Sequence, residues 1–171
     1  MAKKQSAGVL VYRRKNGDVE VLIVHNGGPW FQNKDKGFWS IPKGEYEKEN
    51  PKETARREFQ EELGLDLPAG EWLDLGTVKQ KSGKVVTAWA VEGDVKASRI
   101  KSNMVQAEWP PRSGKTVEWP EVDKAKWFTL EKASEKLNPA QVEFLGRLAA
   151  KLDQKFTPYE ADAEPSQQTL L

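Results

Sequence analysis

The segment Asn50–Gly64 (NPKETARREFQEELG) carries a start signal, a stop signal and one apolar stripe, so it leaves the chain little freedom. Asn50 is a natural acceptor for the free N–H groups of a first turn. Pro51 has the fixed φ that suits the first helical position, and Glu53 sits at the positive end of the dipole. Ala55, Phe59 and Leu63 recur at i, i+4 and i+8, which predicts a helix over Pro51–Leu63 with one face to bury. Gly64 stops it by supplying a left-handed residue just past the last turn.

The flanking segments read as sheet. Ala7–Tyr12 (AGVLVY) and Val19–Val24 (VEVLIV) are short, β-branched and apolar, and Asn16-Gly17 between them is a hairpin-turn signal. Asn26–Phe38 is too polar and too glycine-punctuated for a regular element, and Trp39-Ser40-Ile41 is at most a short strand ended by Pro42. Trp72–Gln80 and Val85–Val91 read as two more strands around the turn Lys81-Ser82-Gly83-Lys84. Glu92–Lys126 has little periodicity, but Glu108-Trp109-Pro110 recurs as Glu118-Trp119-Pro120. Two copies are too few for a solenoid, and a hairpin around Arg112-Ser113-Gly114-Lys115 is expected. Lys126–Thr129 reads as a short strand, and Leu130–Leu137 and Pro139–Gln154 as helices, the second with Val142, Leu145, Leu148, Ala149 and Leu152 on one face. The fold class is therefore α/β, with a domain over residues 5–155 and a proline-broken, aperiodic tail over 156–171.

Composition narrows the chemistry. A chain of 171 residues is one domain's worth, and 37% hydrophobic residues suffice for one core. With 27 Lys and Arg against 26 Asp and Glu, the net charge of +1 offers no electrostatic case for binding long nucleic acid. The absence of Cys removes disulfides, thiolate metal sites and cysteine nucleophiles, and a single His, His25, cannot build a two-histidine zinc helix. No apolar run reaches the roughly 18 residues of a membrane span, and Met1–Gly8 lacks the apolar stretch of a signal peptide; a cytoplasmic setting without membrane contact is expected. The chemistry falls to carboxylates, Lys and Arg. That favours hard cations.

Glu58, Glu61 and Glu62 stand at i, i+3 and i+4 on the predicted helix and so share one face. Unpaired, like charges at this spacing repel by a few tenths of a kcal/mol each; Mg²⁺ or Mn²⁺, which favour carboxylate oxygen, would reverse the penalty. A solvated helix laced with pairs such as Glu53–Arg57 has the same spacing, so spacing alone leaves both readings open.

The wider pattern adds to this. Gly44, Glu49 and the block Arg57-Glu58-Phe59-Gln60-Glu61-Glu62-Leu63-Gly64-Leu65 resemble the Nudix box, G-x5-E-x7-R-E-U-x-E-E-x-G-U with U apolar. Glu49 and Arg57 have the required seven intervening residues and the Arg57–Leu65 block matches at every fixed position, whereas Gly44 to Glu49 has four intervening residues in place of five. The resemblance implies a Nudix-type α/β/α sandwich with a mixed β-sheet. It implies divalent-metal-dependent hydrolysis of a phosphoanhydride in a nucleoside diphosphate joined to another group, in a monomer or homodimer acting on a small nucleotide or polyphosphate. It makes Glu58, Glu61 and Glu62 the metal platform, with a backbone carbonyl from Lys43 or Gly44. Arg57 and Glu49 become a salt bridge from loop to helix, with Arg57 also facing phosphate. Glu121, six residues before Trp127, stands where a further carboxylate is expected, with Glu108 and Glu118 as competitors.

Substrate clues are fewer. Trp39-Ser40-Ile41-Pro42-Lys43-Gly44 resembles the entry to the box in Nudix enzymes acting on diadenosine polyphosphates, where Lys43 would meet an extra phosphate. Trp39, Tyr12, Trp30, Trp89 and Trp109 are the aromatics considered for substrate contact, each also readable as core. Lys79, Lys81 and Lys84 form a small basic cluster at a turn, readable as a polyphosphate clamp or as a solvated turn, and His25, at a strand end next to Gly27-Gly28, is readable as a phosphate or substrate contact or as a hydrogen-bonded structural residue. Two rival functions are removal of pyrophosphate from the 5′ end of RNA and nucleotide binding without catalysis.

Overall fold

The computed structural model describes residues 4–160. Its elements are β1 (Gln5–Lys15), β2 (Asp18–Asn26), β3 (Trp39–Ser40), β4 (Lys43–Tyr46), α1 (Pro51–Leu63), β5 (Leu73–Lys79), β6 (Val85–Glu92), β7 (Met104–Glu108), β8 (Thr116–Pro120), β9 (Val122–Thr129), α2 (Leu130–Lys136) and α3 (Val142–Lys151), with short 3₁₀ turns at Ala97–Arg99 and Pro139–Gln141. The capping signals act as read. The Asn50 side chain accepts from the N–H groups of Lys52 and Glu53, and Gly64, at φ 64°, donates its N–H to the Gln60 carbonyl.

One mixed sheet of seven strands runs β3-β2-β1-β6-β5, with β4 also on β1 and β9 on β2. β1 and β6 are parallel and their neighbours antiparallel. Asn16 and Gly17 both take positive φ, as the tight β1–β2 turn requires. Along β1 and β2 alternate residues serve two cores. Val9, Val11, Leu22 and Val24 pack with Ala55, Phe59 and Leu63 of α1; Leu10, Tyr12, Val21 and Ile23 pack with Leu130, Leu137, Phe144 and Leu145 from the two late helices. A sheet covered on both faces needs continuous apolar strands, which explains runs such as VLIV. The arrangement is an α/β/α sandwich. Phe59 is wholly buried, a contribution of about 1.5–3 kcal/mol for a side chain of this kind.

The central strands do not stay together. β1 pairs with β2 only over Val11–Lys15, while Gln5–Gly8 pairs with β4 and the far end of β2 pairs with β3. The segment Trp39–Tyr46 fills the gap where they part, and Val9 donates its N–H to the Pro42 carbonyl at 3.1 Å. Gly8 permits this approach: a Cβ there would lie 2.4 Å from the Pro42 oxygen.

Tertiary pairing accounts for the departures from expectation. β4, with the sequence KGEY, has no apolar run and forms on the backbone groups that β1 leaves open. β1 and β2 extend through polar residues because each supplies the other's ladder, and β9 begins at Val122, four residues before the expected strand, because β2 pairs along that length. Pro139–Gln154 is a 3₁₀ turn followed by the shorter α3. The break turns Gln141 inward, where its side chain accepts from the Ile41 N–H and donates to Ser40 and Gln80. The hairpin around Arg112–Lys115 is present, as a separate two-stranded sheet of β7 and β8. At the start of the expected tail, Phe156 packs against the core and the Tyr159 N–H reaches the Ser134 hydroxyl at 2.8 Å; residues 161–171 lie outside the described residues. No described helix is long and apolar enough to cross a membrane.

Gly64 meets two demands at once, a left-handed backbone and a close approach, since a Cβ would lie 2.3 Å from the Lys101 carbonyl oxygen. A left-handed L-residue costs about 1–2 kcal/mol before any clash. Gly64→Ala is therefore expected to lower the melting temperature by at least about 2–8 °C by calorimetry; an unchanged melting temperature contradicts this account of the helix stop.

Candidate active site

The apolar stripe of α1 determines where its acids stand. With Phe59 and Leu63 in the core, Glu58, Glu61 and Glu62 border a cleft of about 790 Å³ at the opening between the central strands. Glu62 is 4% exposed. Burial, then Glu121, then Glu58 push its carboxyl well above the ordinary carboxylate range, and Lys43 offsets only part of this. Glu58 shifts in the same direction, through burial first and Glu61 next, with Arg57 opposing. Glu61 is half-exposed at the rim.

The loop before the helix is tied down as the resemblance implied. Arg57 pairs with Glu49, and its guanidinium also lies 3.4 Å from Glu58 and 3.6 Å from Glu61. Gly44 on β4 lies against Glu58: a Cβ there would come within 2.0 Å of the carboxyl carbon, so only glycine leaves room for that side chain. The fourth acid comes from the corner between β8 and β9. Glu121 donates its N–H to the Asn103 carbonyl, accepts from the Gly27 N–H, and takes a 2.9 Å hydrogen bond on its carboxylate from the Asn103 side chain. Its competitors are elsewhere. Glu108 accepts from Arg112 and Gly114 and so stabilises the hairpin turn, and Glu118 accepts from Gln106 across the two-stranded sheet.

The same cleft is bordered by Lys43, Lys81 and Lys84, which brings two lysines of the β5–β6 turn alongside the one before the box. Lys84 pairs with Glu45 at 3.1 Å. Burial, followed by repulsion from Lys84, pushes the Lys43 ammonium down from its usual range, a penalty that an anion in the cleft would relieve. Ser6, fully buried at the cleft wall, has a hydroxyl oxygen with no hydrogen-bond partner.

The aromatic expectations need correction. Tyr12 is 6% exposed within the core on the α2–α3 side and does not border the cleft. Trp39 does, but its ring is built into the structure: Nε1 donates to Asp35 and its faces meet His25 and Phe128 edge-on. Trp89 packs against Trp72, and Trp30 lies under the Lys34 ammonium at 3.4 Å, away from the cleft wall. Besides Trp39, Phe31 and the 42%-exposed Phe38 also border the cleft. Both come from the glycine-rich stretch that had no predicted element, and their only signal was aromatic residues in a loop beside the box. His25 is a structural residue, with Asp123 on one ring nitrogen and the Lys34 carbonyl on the other.

The donor set fits a divalent cation. Its members are hard carboxylates, the two most buried are held in mutual repulsion, and the missing side chain of Gly44 gives the Glu58 carboxyl its place. Among the described residues no group of three or more such side chains is arranged to hold a metal ion; the acids border the cleft as an open wall.

A NUDIX domain model matches residues 2–148. The chain belongs to the Nudix family. Nudix domains are typically pyrophosphohydrolases and generally use divalent metals. Comparison with curated protein sequences returns no match. The fold is similar to a Caenorhabditis elegans Ap4A hydrolase solved as a binary complex, at 21% identity and a TM-score of 0.60, over 88% of this chain and 98% of that one. It is also similar to the NUDIX domain of Shewanella oneidensis NrtR complexed with ADP ribose, at 15% identity and a TM-score of 0.62, over 89% and 90%. A third neighbour, a mutT/nudix family protein from Listeria innocua, gives 15% identity and a TM-score of 0.58 over 90% and 96%. At these identities the likeness establishes the Nudix fold.

The raised Glu62 pKa has a consequence for the metal-free protein. Its folded-state pKa lies above the unfolded value, so ionising it opposes folding: the stability is fully present below the unfolded pKa and is lost as pH rises through the folded pKa. Glu62→Gln, which cannot ionise, is expected to unfold at a higher temperature than the parent at pH 8 without metal, the gap closing towards pH 5. A mutant less stable than the parent at pH 8 contradicts the burial argument.

Proposed function

We propose that the cleft hydrolyses a phosphoanhydride bond in a nucleoside diphosphate joined to another group, with dinucleoside polyphosphates as the favoured substrates. One observation carries this reading: acids from α1 and β9's edge and lysines from β4 and the β5–β6 turn border the same cleft. An acid wall alone suits a cation and a lysine wall alone suits an anion. A polyphosphate with its divalent counter-ion needs both.

Each residue then has a task. Glu58, Glu61 and Glu62, with a backbone carbonyl from Lys43 or Gly44, hold Mg²⁺ or Mn²⁺. When bound, the ion neutralises phosphate oxygens and lowers the pKa of water. Glu121 takes a proton from the attacking water; the new P–O bond forms as the bridging P–O bond breaks, and the leaving phosphate departs as an anion. Arg57, whose three guanidinium nitrogens face Glu49, Glu58 and Glu61, does not border the cleft and acts on it by orienting those acids. Lys43, Lys81 and Lys84 meet the phosphates beyond the cleaved bond, and the unpartnered Ser6 hydroxyl can donate to a phosphoryl oxygen there. Phe38, open to the cleft, offers a face for a nucleobase. An Ap4A hydrolase and a domain complexed with ADP ribose among the structural neighbours support a nucleotide substrate in this fold.

The test is a panel of diadenosine tetraphosphate, ADP-ribose and 5′-triphosphorylated RNA with Mg²⁺, the products resolved by chromatography. Diadenosine tetraphosphate is expected to turn over fastest, and Glu121→Gln to lower kcat by about 10²–10⁴-fold. Glu108→Gln and Glu118→Gln should stay within a few-fold of the parent. Preference for ADP-ribose or RNA overturns the polyphosphate assignment, and binding without turnover of any substrate overturns the enzyme.

A further inference from the structure

Asn103 links the helix that carries three acids to the loop that carries the fourth. The segment before β7 runs along the C-terminal end of α1, where four carbonyls would otherwise lack partners. Lys101 donates its N–H to the Leu63 carbonyl at 2.8 Å, and Asn103 donates its N–H to the Glu61 carbonyl at 3.0 Å. The carbonyl of Asn103 then accepts the Glu121 N–H at 3.0 Å, and its side-chain Nδ2 donates to Glu121 Oε1 at 2.9 Å. One residue therefore touches the peptide of one acid and both the peptide and the carboxylate of another.

The orientation of the amide follows from chemistry. An ionised carboxylate only accepts, so the NH₂ group must face Glu121. The amide oxygen is then left towards the Ser102 hydroxyl, which lies 3.4 Å away and also donates to the Asn103 carbonyl at 2.8 Å. Among the described residues Asn103 is the only side chain that donates to the Glu121 carboxylate. Ser102 adds a further tie by accepting the Val122 N–H at 2.9 Å. Occupying Oε1 in this way restricts rotation of the carboxyl group of Glu121, which borders the cleft.

Resting on the role of Glu121 proposed above, we infer that Asn103 is a positioning residue that aims the Glu121 carboxylate at the α1 acids. Asn103 itself does not border the cleft. Its backbone bonds are available to any residue, whereas the carboxylate contact needs an amide donor of this length. Asn103→Ala keeps the first and loses the second. Asn103→Asp keeps the shape and replaces the donor with a like charge.

The experiment is a double-mutant cycle of Asn103→Ala and Glu121→Gln, with Asn103→Asp as a fifth protein, measured as kcat and KM on diadenosine tetraphosphate with saturating Mg²⁺. Melting temperature and the ¹⁵N–¹H shift of the Asn103 side-chain amide accompany it. Asn103→Ala is expected to lower kcat by about 10–100-fold with KM changed no more than about threefold, and Asn103→Asp to fall at least as far. The double mutant should be no slower than Glu121→Gln alone, because the acting group is already gone. In Glu121→Gln the Asn103 amide resonance should move. Multiplicative losses in the double mutant, an unmoved amide resonance, or parental kcat in Asn103→Ala each overturn the inference. A parental rate in Glu121→Gln has a different signature: it overturns the assignment of Glu121 itself, and this inference with it.

Discussion

Helix α1 joins two requirements that conflict. Its stripe of Ala55, Phe59 and Leu63 must be driven into the sheet for that side of the sandwich to form, and Glu58 and Glu62 are next to Phe59 and Leu63 in sequence. Seating the apolar residues thus draws two carboxylates out of water and towards each other and Glu121. The arrangement resists ionisation, and a divalent cation bound as proposed would offset that repulsion. The surrounding core keeps this locally unfavourable charge cluster in place.

The cleft over those acids exists because β1 and β2 part company. Where they separate, Trp39–Tyr46 enters, and its small residues set the clearances: Gly8 lets the chain pass Pro42, and Gly44 leaves room for Glu58. The opposite boundary comes from backbone ties. The segment 101–103 satisfies the end of α1 and then the corner at Glu121, so the acids of the helix and of the loop are registered by hydrogen bonds of about 3 Å. The lysines of the β5–β6 turn arrive by a third route, at the end of a parallel pairing with β1.

What the sequence revealed divides along physical lines. Capping, the apolar period and the box are local, and Pro51–Leu63, the Asn16-Gly17 turn and the Glu49–Arg57 pair follow from them directly. Glu121 was placed beside the α1 acids by its distance from Trp127, through the family pattern. β4 was illegible because its four residues, KGEY, carry no apolar run and form a strand only on an edge that β1 provides. Tyr12 was misjudged because a strand buried on both faces leaves no exposed side for an aromatic, and Phe38 was missed because a loop's path over a cleft has no period to read. Asn103 had no sequence signal at all. Its importance lies in partners on two elements distant in the chain.

The proposed function stands on Glu58, Glu61 and Glu62 of α1 as a divalent-cation platform beside Glu121. The direct measurement is a Mn²⁺ titration followed by electron paramagnetic resonance, with Mg²⁺ as competitor, on the parent protein and on Glu58→Gln/Glu62→Gln. Saturable binding in the parent, displaced by Mg²⁺ and weakened at least about tenfold in the double mutant, is the predicted result. Equal affinity and stoichiometry in the two proteins would contradict it.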